Sequence, residues 1–147
     1  MSYDILFLRR EPGQSFDDAL EADEERQIAA SEGISCEDPL VIAAADEVRR
    51  AVVEMIGPDA KVDTGRPGID IYDPATRVLL EYHWEGVSIS TTFGPDPSPV
   101  TRISAVFRTA EIIERLTGLE GYDRQIEMAL REPGAFATSV AAYGYFT

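Results

Sequence analysis

Hydrophobic positions along this chain repeat with two different periods, and the switches between them mark out its elements. Tyr3–Asp4–Ile5–Leu6–Phe7–Leu8 is a short β-prone apolar run closed by Arg9–Arg10, which predicts a central strand. Pro12–Gly13 breaks it. Ser15 and Asp18 then form a capping pair ahead of Phe16, Ala19 and Leu20, predicting a helix over about 15–30 that stops before Gly33. A second helix, about 39–56, has the strongest signal. Asp38 can cap it, Pro39 suits its first turn, and Val41, Ala45, Val48, Val52, Met55 and Ile56 recur at helical spacing until Gly57–Pro58.

From 59 to 94 the period drops to two. Ile69 and Ile71 alternate with Asp70 and Tyr72; Val78, Leu80, Tyr82 and Trp84 alternate with Leu79, Glu81 and His83; Val87, Ile89, Thr91 and Phe93 follow. Asp73–Pro74–Ala75–Thr76 reads as a type I turn and Glu85–Gly86 as a two-residue hairpin loop, giving a three-stranded antiparallel meander over 67–93. With those turns Tyr72 lies opposite Arg77, Asp70 opposite Leu79, Glu81 opposite Ser90 and Trp84 opposite Val87. The apolar set, Trp84 included, then faces inward and is largely buried. Asp70, Tyr72, Arg77, Glu81, His83, Ser88, Ser90 and Thr92 share the other face.

Gly94–Pro95–Asp96–Pro97–Ser98–Pro99 is a stiff surface loop. A third helix, about 101–117, opens at Thr101, buries Ile103, Val106, Phe107, Ala110, Ile113 and Leu116, and stops at Gly118. Two readings stand for the next segment: a strand over 119–123, or a short helix carrying Tyr122, Ile126, Ala129 and Leu130. The uncharged aromatic tail, Phe136–Thr147, packs onto the body. Together these elements predict a single α+β domain over 1–147, mainly an antiparallel sheet packed by helices.

Composition narrows the function. The chain has 147 residues, 27 acidic against 13 basic, and a formal net charge of −14. Phosphate binding depends on Lys and Arg displacing counterions, so a chain this acidic is a poor nucleic-acid binder. A field of this sign favours a basic partner instead. Six acids fall within residues 16–25: Asp17, Asp18, Glu21, Asp23, Glu24 and Glu25. No apolar run is long enough for a membrane span, and no export signal is visible. The single cysteine, Cys36, fits a reducing cytoplasm.

Catalytic motifs are missing. One histidine and one cysteine exclude the multi-ligand zinc spacings, and no Walker loop, complete dinucleotide fingerprint or nucleophile elbow occurs. The acids beside Cys36 disfavour its thiolate. No cofactor or metal is expected, and the balance leans against an enzyme. One constellation stands out, the polar meander face. Tyr72 and His83 offer flat contacts, Asp70 and Glu81 anionic ones. An enzymatic reading would use Asp70 or Glu81 as a base beside His83, within a cleft.

The opening Met1–Ser2–Tyr3–Asp4–Ile5 resembles a family of small uncharacterised bacterial proteins, frequent in actinobacteria, that begin Met-Ser-Tyr-Asp-Leu. Gly118–Leu119–Glu120–Gly121–Tyr122–Asp123–Arg124–Gln125 is similar to their late Gly-Leu-x-x-Tyr-Asp-Pro-Gln element, with Arg124 in place of proline. The resemblance implies a small α+β protein in which 119–123 is a strand beside the first, and it supplies no catalytic residues. Some similar small acidic proteins serve as immunity partners of toxins. The leading expectation is therefore a non-enzymatic module, an immunity-type or regulatory partner of a basic protein. The alternatives are a small-molecule or enzyme cleft beside the meander, and an acidic mimic of nucleic acid.

Overall fold

The structure is a computed structural model and describes residues 2–65, 67–92, 94 and 96–144. Its elements run β1 (Ser2–Leu8), α1 (Phe16–Ser31), α2 (Pro39–Ile56), β2 (Lys61–Asp63), β3 (Gly68–Asp73), β4 (Val78–His83), β5 (Gly86–Thr92), α3 (Pro99–Thr117), β6 (Glu120–Asp123), β7 (Met128–Ala129) and α4 (Ala135–Gly144). The strands form one seven-stranded sheet in the order β2-β3-β4-β5-β1-β6-β7, every neighbouring pair antiparallel. The expected α+β class holds. The strand near 119–123 pairs with β1, as the resemblance implies, and the helical alternative there is not realised. No described helix is long and apolar enough to cross a membrane.

Burial follows the period of two. Ile69, Ile71, Val78, Leu80, Tyr82, Val87, Ile89 and Thr91 are buried, together with Tyr3, Ile5 and Phe7 of β1. Helix α2 covers this face with Val41, Ala45, Val48 and Val52, and α3 with Ile103, Val106, Ala110 and Ile113. Both helices begin as their sequences direct. Asp38 accepts hydrogen bonds from the Leu40 and Val41 amides, and Ser98 from that of Thr101. Helix α3 thus opens at Pro99 and not at Thr101, because the hydroxyl of Ser98 supplies the cap. It ends at Gly118, which adopts the left-handed conformation (φ 75°).

Both meander turns are corrected. The β3–β4 connection is the four-residue loop 74–77, which stacks two hydrogen bonds on the Asp73 carboxylate and needs Arg77 at φ 60°. Arg77 therefore leaves the strand face. The β4–β5 loop is Trp84–Glu85, and Gly86 opens β5. Backbone contacts explain this. The Trp84 amide donates to the Pro67 carbonyl, and its own carbonyl accepts from Asp38, so the residue is held away from β5. Trp84 is half-buried rather than largely buried, packed edge-on against Tyr82 at 6.2 Å. Each pairing shifts by two residues, which preserves the face of every side chain. Phe93, Tyr145 and Phe146 lie outside the described residues.

Short elements that the periodicity did not announce complete the sheet and its cover: β2, β7 and α4. Helix α4 packs on α3 and buries Tyr143, whose ring meets Tyr3 edge-on at 4.8 Å and whose hydroxyl donates to the Thr92 carbonyl. Below it lies a buried polar cluster. Tyr3 Oη donates to Asp123 Oδ2, Ser139 Oγ lies 3.3 Å from the same oxygen, and Asp123 Oδ1 accepts from the Gln125 amide. Asp123 is wholly buried, so these donors replace its lost hydration.

Truncating half-buried Trp84 to alanine should cost about 2 kcal/mol, below the ~3–5 kcal/mol of a fully buried aromatic, as read by denaturant melts. Asp123→Ala, which removes the acceptor shared by the buried Tyr3 and Ser139 hydroxyls and leaves them only each other, should cost about 1–3 kcal/mol by the same measurement. Burial, and for Tyr3 also its bond to Asp123, raises the Tyr3 and Tyr82 phenols above their ordinary value. Stability from these neutral rings is complete below the unfolded value of about 10 and declines as pH rises beyond it. Phenolate absorbance should therefore show both rings titrating only as the chain unfolds in alkali.

Candidate functional site

The corrected register changes what the polar face contains. Counting across the sheet, Asp63 pairs with Asp70, Asp70 with Glu81, Glu81 with Ser88, Ser88 with Leu6 and Leu6 with Tyr122. Three carboxylates thus occupy adjacent places in one lateral row. In the neighbouring row Tyr72 pairs with Leu79, Leu79 with Ser90, and Ser90 with Asp4. Of the expected face, Asp70, Tyr72, Glu81, His83, Ser88 and Ser90 come together half-buried; Thr92 is exposed at the end of β5, and Arg77 is exposed in its loop.

His83 occupies a distinctive place. Its cross-strand partner is Gly68 on β3 and Gly86 on β5, so no side chain flanks it in its own row. A Cβ on Gly68 (φ 145°) would lie 2.6 Å from His83 Cα and 3.0 Å from its ring Cδ2, so only glycine permits this approach. The ring turns along the strand toward the carboxylate row, with Nε2 2.7 Å from Asp70 Oδ1. One ligand-capable atom each from Asp70, Glu81 and His83 lies within 4.8 Å of the others. Among the described residues no arginine or lysine is ion-paired with Asp70 or Glu81. Like charges facing across a strand pair are unfavourable, so a cation placed among these carboxylates would be favoured.

The other candidate surface is α1. Only Ala19 of this helix is buried, while Phe16 stacks on Tyr122 at 5.0 Å and Arg10 lies over the Phe16 ring. Leu8 and Tyr122 project from the sheet face opposite the main core, so α1 sits on the same side as the carboxylate row. Asp17, Asp18, Glu21, Glu24 and Glu25 are exposed along it. Asp23 is half-buried and bound to Arg26 and Gln27, and Glu24 faces Arg124 at 3.8 Å.

The wider concavities lie elsewhere. One of about 540 Å³ opens beside α2 and β2 near Asp46, Arg49, Arg50 and Glu54; another, of about 480 Å³, lies beside α1 near Arg9, Arg26 and Cys36. Neither is lined by Asp70, Tyr72, Glu81 or His83. Asp38, at the head of α2, is bonded to Arg9 just beyond β1 at 2.8 Å. Burial alone would raise its carboxyl, but the Arg9 guanidinium and the Leu40 and Val41 amides outweigh this and hold it below the usual carboxylate range.

Sequence reasoning missed the carboxylate row because its register set Asp70 against Leu79. The sequence pattern did group His83 with Asp70 and Glu81 on one face, as a base beside an imidazole, but metal ligation was weighed only through the cysteine and histidine spacings of zinc sites. The signal was present in the period of two, since Glu81 and His83 are next neighbours on one face. Neutralising one carboxylate should relieve the repulsion: Glu81→Gln is expected to stabilise the fold by about 0.2–1 kcal/mol, seen as a raised Tm at low ionic strength. No family model matches this chain, and neither a curated protein nor a solved structure matches it, so the geometry carries the functional argument alone.

Proposed function

We propose that the chain is a non-enzymatic binding module that engages a basic protein, in the manner of an immunity-type or regulatory partner. One observation carries this reading. The acidic helix α1 and the carboxylate row Asp63–Asp70–Glu81, far apart in sequence, lie on one side of the sheet. Their charges add over a single surface, and such a surface draws in a cationic partner and sets its orientation. The rigid strands beneath hold the acids in place without an ordering cost. Support also comes from Tyr72 and His83, half-buried on the sheet face and away from the two wide concavities, a placement that suits contact with a broad surface more than enclosure of a small substrate.

The test is affinity capture from the native host at low salt, with quantitative mass spectrometry. It is run in parallel with a variant carrying Asp17→Asn, Asp18→Asn, Glu21→Gln, Glu24→Gln and Glu25→Gln. A basic protein should be enriched by the unmodified chain, and lost both from the variant and on raising the salt. Recovery of no specific partner, or of one retained equally by the variant in high salt, would overturn the reading.

A further inference from the structure

We propose that Asp70, Glu81 and His83 form a binding site for a divalent transition-metal ion of the zinc class. The inference is independent of any protein partner. It rests on three donors from two adjacent strands, brought within 4.8 Å of one another at half-buried positions. Around a tetrahedral zinc ion, bonds of about 2.0 Å set neighbouring donors roughly 3.3 Å apart. Around the ion the Asp70–His83 contact of 2.7 Å would open by about half an ångström, and any wider donor separation, at most 4.8 Å, would close onto it.

The surroundings favour such an ion. Two carboxylates supply negative charge at the site, and Asp63 adds a third beyond Asp70 in the same row. A bound dication would relieve the repulsion among them. The two glycines that flank His83 leave room beside the imidazole, and the close approach of Gly68 sets the ring against the β3 backbone. Donors carried on paired strands lose little freedom on binding. An imidazole nitrogen among the donors selects zinc-like ions over calcium and magnesium, which prefer oxygen alone. Three protein ligands leave the remaining coordination to water.

His83 is the only histidine in the chain, so its imidazole resonances report on this site without ambiguity. Metal-stripped protein is titrated with zinc chloride, followed by calorimetry and by nuclear magnetic resonance of the imidazole, with calcium chloride as the comparison. Zinc should bind one to one and shift the imidazole signals in step with saturation, whereas calcium should leave them in place. His83→Gln and Asp70→Asn should each weaken zinc at least tenfold, while Glu47→Gln, a distant acid, should not. Imidazole signals that stay fixed while zinc saturates the unmodified protein would overturn the proposal, and that result requires no variant to fold. So would the absence of saturable zinc binding up to about 1 mM, or equal zinc affinity in the His83→Gln chain.

Discussion

Everything in this molecule depends on the burial of one face of an antiparallel sheet. Val62, Ile71, Leu80, Ile89 and Ile5 form a single apolar row across five strands, with α2 and α3 on top. Side chains alternate strictly along a strand, so a slip of one residue would drive Asp70, Glu81 and His83 into that core. Burying unpaired carboxylates there would cost several kcal/mol, a large part of a small domain's stability. A slip of two residues carries no such penalty. The parity of the pairing is therefore tightly specified, and the choice between registers of one parity falls to other contacts.

The core face is not wholly apolar, and its polar groups tie distant segments together. Asp123 joins β6 to Tyr3 of β1 and Ser139 of α4, closing the far side of the sheet. Arg102, wholly buried on α3, donates to the carbonyls of Thr92 and Asp96, fastening the start of the helix to the end of β5. Its Nε finds no partner among the described residues. Glu114, near the other end of α3, accepts from the Gly121 amide and faces Arg131 at 3.1 Å. Such groups add less net stability than the apolar row, but they define which loops lie where.

The opposite face is freed from the demands of packing, and charge accumulates there. Helix α1 covers only its β1–β6 end, through Leu8 and Tyr122, leaving β2–β5 open. Three carboxylates occupy adjacent lateral positions there, an arrangement that the apolar core would reject. A basic protein would meet this charge over the whole side, and a metal ion at one point of it. Both readings draw on the same fact, that a sheet face not needed for the core can carry groups the core would reject.

The sequence by itself determined the period of each element, and through it which residues are inside. The caps at Asp38 and Ser98, the αL glycine at 118 and the inward set from Ile69 to Thr91 are local signals, and local physics realises them. Short β2 and β7 carry too few residues for a period to show, and α4 has apolar residues nearly all round. Only the tertiary structure decided the register. The Trp84 backbone bonds to Pro67 and to Asp38, residues 17 and 46 positions earlier, and those contacts moved the hairpin loop. The matching shift of two between β3 and β4, made at the 74–77 loop, placed Asp70 opposite Glu81 and near His83. Parity is a property of one strand and can be read along the chain, whereas a pairing partner belongs to two strands and is settled only when the rest of the fold holds them together.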